Sequence, residues 1–86
     1  MSGGTFDYKQ WAIQDIAEHI ENTIALNDCG ELWEQLQPEV IEELKAAVKC
    51  LRQAYVYARR IDYLLAGDSG QDTFLKYLQQ ELKELQ

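Results

Sequence analysis

Histidine is almost missing from this chain: a single one, His19, stands among fifteen carboxylates and eight cations. That excludes a two-histidine mechanism or a histidine-built metal site within one subunit. Cysteine is scarce as well. In a chain without export features, Cys29 and Cys50 read as free thiols of a reducing compartment rather than a structural staple. No apolar run approaches the roughly 20 residues that span a bilayer, so no membrane partner is expected. Residues 1–10 lack the basic start and apolar stretch of a secretory leader, which makes a cytoplasmic setting the expectation. Direct nucleic-acid binding is disfavoured too, because a formal net charge of -7 repels the polyanion whose counterions binding must release.

Proline occurs once and glycine five times, each at a joint of the apolar pattern rather than inside it. Pro38 suits a first helical position, where its missing N–H would be unpaired anyway, and Gly67 suits the left-handed residue that closes a helix. Between them, apolar residues return at Ile41, Leu44, Val48, Leu51, Tyr55, Ala58 and Leu65, three and four apart. This spacing predicts one long central helix over residues 38–66, about 42 Å for its 28-residue body at 1.5 Å per residue.

A first helix is expected over about residues 7–26, with Tyr8, Trp11, Ile13, Ile16, Ile20 and Ile24 as its apolar face and Asp7 with Gln10 as a capping box. Asn27 or Gly30 closes it. Glu31 to Leu36 reads as a short helical turn in the connector, where Trp33 either staples that connector to the core or anchors a partner. The last helix, about residues 72–85, has Ser69 and Asp72 as its capping signature and Phe74, Leu75, Leu78, Leu82 and Leu85 as its apolar face. The fold class is therefore all-α: a single domain over residues 1–86, a small three-helix antiparallel arrangement around one long central helix. Its core is marginal for a chain of 86 residues, so a homo-oligomer is expected.

Two features break this pattern. Continuing the seam from Tyr55 and Ala58 reaches Asp62, and a carboxylate facing a core needs a partner. Arg59, a tyrosine hydroxyl, water or a bound ligand would each serve. Lys45, Lys49, Arg52 and Arg59 form a basic stripe on the central helix, and no acidic residue lies between Leu44 and Ile61. The stripe either pairs with acids of the flanking helices or, with Arg60, makes an anion site in which Tyr55, Tyr57 or Tyr63 stacks on a base or ribose. The Gly67-Asp68-Ser69-Gly70 turn spells the nucleophile motif of trypsin-like proteases, but the base and β-barrel that chemistry requires are absent. Exposed N–H groups in this turn, and in the opening Ser2-Gly3-Gly4, instead suit an oxyanion.

The opening Met-Ser-Gly-Gly-x-Phe-x-Tyr, the stretch Tyr57 to Gly70 and the following Phe74-Leu75 resemble a family of small uncharacterised proteins carried by bacteriophages and prophages. The resemblance implies a phage setting in the cytoplasm of a host cell, where proteins of this size are often non-catalytic inhibitors of host defence. The leading expectation is sequestration of a nucleotide-derived anionic signal in an interhelical or intersubunit pocket. Its candidate ligand-binding residues are Ser2, Gly3, Gly4, Phe6, Tyr8, Tyr55, Arg59, Arg60, Asp62, Tyr63, Asp68 and Ser69. A second expectation is a protein-binding inhibitor of a host defence complex, an acidic polyanion mimic or plug. A third is an all-α Mg²⁺-dependent nucleotide hydrolase using the Glu18/Glu21 or Glu39/Glu42 pairs with Asp62. On the leading expectation the chain is not an enzyme: no catalytic residue, metal ligand or cofactor is assigned.

Overall fold

The computed structural model describes residues 6–85, which form three helices and no strand: α1 (Gln10–Asp28), α2 (Pro38–Leu65) and α3 (Gln71–Glu84). Pro38 opens α2 as its first helical residue. Gly30 and Gly67 take φ of 75° and 83° just beyond α1 and α2, each in a Schellman closure. The Gly30 N–H donates to the Asn27 carbonyl and the Glu31 N–H to Leu26, while the Gly67 N–H donates to Leu64 and the Asp68 N–H to Tyr63.

α1 runs antiparallel along α2: its start meets Asp62 through Phe6 and Gln10, Trp11 lies against Tyr55, and Glu21 pairs with Arg52. α3 folds back on the other flank of α2's C-terminal half, where Glu81 receives Arg59 and Arg60. Among the described residues α1 and α3 do not pack on each other. The molecule is accordingly long, 47 × 25 × 15 Å, with a radius of gyration of 15.9 Å against about 12 Å for a compact chain of this length. The buried apolar residues are Ala17, Ile41, Tyr55 and Leu78.

The buried residues of α2, Ile41, Tyr55 and Asp62, fall on one line of sevenfold spacing, which is the seam that faces α1. On α1 the buried positions are Gln10, Ala17 and Asn27, and Ile13, Ile20 and Ile24 of the expected apolar face are half-buried. Trp11 and Ile16 remain exposed, while Gln10 and Asn27 satisfy polar groups at the two ends of the α1/α2 pair.

Several local expectations are corrected by tertiary partners. The Asp7–Gln10 capping box does not form. Asp7 and Tyr8 take positive φ of 53° and 61°, the helix begins at Gln10 without a side-chain cap, and the Gln10 amide turns inward to Asp62. The helical turn expected over residues 31–36 is a bend. Its backbone is drawn to the end of α1 instead: the Leu36 N–H donates to Asn27 Oδ1 at 2.8 Å and Gln35 Nε2 donates to the Asn27 carbonyl at 3.2 Å. α3 starts one residue early, with Gly70 rather than Ser69 at its cap. Its apolar face is also narrower than expected, since Leu78 is buried while Leu75 stays exposed.

Candidate functional site

Asp62 is the largest side chain fully withdrawn from solvent, at 0% exposure. Its Oδ1 accepts from the Phe6 N–H at 3.0 Å and its Oδ2 from Gln10 Nε2 at 3.4 Å. The carboxylate therefore fastens the segment before α1 onto α2. On the opposite flank, Arg60 donates to Glu81 and lies over the rings of Tyr63 and Tyr77, at 5.6 and 5.1 Å from their centroids. Arg59 shares the same carboxylate at 3.7 Å. Partial burial would lower the Arg59 pKa, but its hydrogen bond with Tyr55 and the charges of Glu81, Tyr63 and Tyr55 outweigh that and hold it above its usual value.

The residues expected to form one anion pocket are thus divided. Asp62 faces α1 and holds the Phe6 backbone just before it, whereas Arg59, Arg60 and Tyr63 face α3. Tyr55 is buried against Trp11 with ring centroids 5.7 Å apart. Asp68 is exposed and Ser69 half-buried in the turn, where the N–H groups of Gly67, Asp68 and Ser69 all donate to carbonyls of Tyr63 or Leu64. Tyr8 is exposed within the turn that precedes α1. Ser2, Gly3 and Gly4 lie outside the described residues. Glu18, Glu21, Glu39 and Glu42 are exposed, and among the described residues no group of three or more His, Cys, Asp or Glu converges to hold a metal ion. Cys29 and Cys50 are free and exposed.

Two other features emerge. One is an open groove of about 760 Å³ along α1 and α2, floored by Phe6, Ile13, Ala54, Ala58 and Ile61 and bordered by Lys9, Asp7 and Tyr57. Gln10 also lines it, and its Oε1 is buried without a partner. The other is the connector end of the molecule, where Trp33 is 85% exposed. The carboxylates of Asp28, Glu31, Glu34, Glu39, Glu42 and Glu43 surround it in sequence and are all exposed. No Lys or Arg occurs from Gln10 to Leu44, so this end carries charge of one sign.

No family model, curated protein or solved structure matches this chain. Nor does any helix among the described residues have the length and apolar character to cross a membrane. The sequence did single out Trp33, but left open whether it packs inward. The groove has a signal in the sequence that the single seam conceals: beside the seam that faces α1 runs a second apolar line, from Val40 through Leu44, Ala47, Leu51, Ala54, Ala58 and Ile61 to Leu65. None of these eight residues is buried.

Proposed function

We propose that this chain is a non-catalytic protein-binding module whose connector end engages a basic surface on its partner. Trp33 is the observation that carries this reading. A tryptophan 85% exposed on a connector held to α1 through Asn27 is presented with little ordering left to lose, and such side chains dominate interface energetics. The carboxylates around it select a partner with an apolar pocket rimmed by Lys or Arg, the character of a surface that otherwise receives a polyanion. In the phage setting that the resemblance implies, this is an inhibitor that occludes a host defence protein in the cytoplasm. Trp33→Ala tests it: a protein captured from host lysate by the wild type should bind the variant at least thirtyfold more weakly while helical circular dichroism stays unchanged. Equal capture by both would reject Trp33 as the anchor.

Sequestration of a nucleotide-derived anion is a second proposal, supported by the Arg59 Nε, which is buried without a partner beside the tyrosines. An anion there competes with Glu81 for both arginines. Titration of a nucleotide panel by calorimetry against the wild type and Arg59→Ala tests it, and absence of heat in both would remove it.

A further inference from the structure

We propose that the groove between α1 and α2 is occupied by α2 of a second copy of this chain, laid antiparallel, so that the two α1/α2 pairs close into a four-helix bundle. The inference stands apart from the connector end and uses the other side of the molecule.

α2 carries two adjacent apolar seams, and α1 covers one. The second runs the length of the helix: Val40, Ala54 and Leu65 are exposed and Leu44, Ala47, Leu51, Ala58 and Ile61 only half-buried in the single chain, and Ala54, Ala58 and Ile61 of this seam line the groove. A helix with apolar residues on two neighbouring heptad lines requires a neighbour on each. α3 does not supply the second, because it packs near Arg59 and Arg60 on the flank away from the groove.

The seam is complementary to itself when reversed. About a twofold axis near Arg52 and Gln53, Leu44 of one copy meets Ile61 of the other, Ala47 meets Ala58, and Leu51 meets Ala54. Alanines on both sides of the axis allow close approach of the two backbones, and the Leu51–Ala54 pairing sets a large residue against a small one. In the same register Glu43 of the second copy comes level with Asp62, which is where Lys9, a cation at the groove's border, lies. Asp7 borders the groove beside Lys9, so Glu43 pairs with Lys9 at a border of mixed charge, twice by symmetry.

The surface area is also sufficient. The chain exposes 6114 Å², whereas a compact protein of its mass exposes about 5,200 Å². The difference, about 900 Å², accommodates the roughly 800 Å² that each partner contributes to a standard interface.

Sedimentation equilibrium with the full chain is the test. The wild type should sediment at twice the 10.0 kDa chain mass at micromolar concentration. Ala54→Glu, at a position exposed in the single chain, should return it to the mass of one chain with helical circular dichroism intact. Gln79→Glu, on an exposed position of α3, should leave the dimer unchanged. Lys9→Glu and Glu43→Lys, both at the surface, should each weaken the dimer about fivefold and restore it in combination, which checks the antiparallel register even if Ala54→Glu misfolds. A wild type that sediments as one chain up to millimolar concentration overturns the proposal. So does a dimer untouched by Ala54→Glu and by both charge reversals.

Discussion

Removing the Asp62 carboxylate leaves two donors, the Phe6 N–H and the Gln10 amide, without their acceptor at a position fully withdrawn from solvent. Asp62→Ala should therefore destabilise the fold by about 2–3 kcal/mol in urea unfolding. Asp62→Asn should cost far less. Its oxygen still accepts from Phe6, and its new N–H₂ can donate to Gln10 Oε1, which has no partner in the native protein, once the Gln10 amide rotates. If both variants lost the same stability, the negative charge rather than the hydrogen-bond pattern would be what Asp62 provides. Asp7 gives the opposite case: it is exposed and held at φ 53°, so Asp7→Gly should stabilise by up to about 1 kcal/mol, with the midpoint of the same urea curve shifting upward. That Asp62 needed a partner was readable in the sequence. Which groups would supply it was not, because Phe6 and Gln10 lie more than fifty residues away and nothing local marks them. Gln10 looked instead like the closing half of a capping box, a short-range pattern that the buried carboxylate outcompeted.

The helices themselves were legible where punctuation is strong. Pro38 and Gly67 bound α2 as expected, since one has no N–H to lose and the other reaches positive φ without a Cβ clash. Gly67→Ala would meet no atom within 4 Å, so its cost is purely backbone strain, about 1 kcal/mol by thermal unfolding. The connector and the start of α1 depart from local propensity for a common reason: Asn27 and Gln10 commit their side chains to groups on other segments, and helix propensity in residues 31–36 is overruled by the contacts Asn27 offers. α3 depends on few partners. Glu81 serves both Arg59 and Arg60, so Glu81→Gln should speed amide hydrogen exchange throughout α3 while exchange at the centre of the α1/α2 pair stays slow. Uniform acceleration in all three helices would mean that the molecule opens only as a whole.

In the molecule as a whole, the basic stripe proves to be partly an internal seam: Arg52 reaches Glu21 of α1, while Arg59 and Arg60 reach Glu81 of α3. The acidic flanking helices made that pairing legible. Periodicity could not show how many neighbours α2 has, because its two apolar lines share Leu44, Leu51, Ala58 and Leu65, and one pattern can be read for either. The separation of charge along the 47 Å axis has a kinetic consequence. Six exposed carboxylates crowd the connector end, whereas toward the other end Lys9, Arg59 and Arg60 offset Asp7 and Glu81, so negative charge is concentrated at one end and the molecule carries an electric dipole along its length. In the field of a basic partner this dipole exerts a torque that turns the Trp33 end forward before contact, narrowing the rotational search that limits most encounters. Raising the salt concentration should therefore slow association far more than it speeds dissociation, and stopped-flow traces at two ionic strengths would separate the two rates.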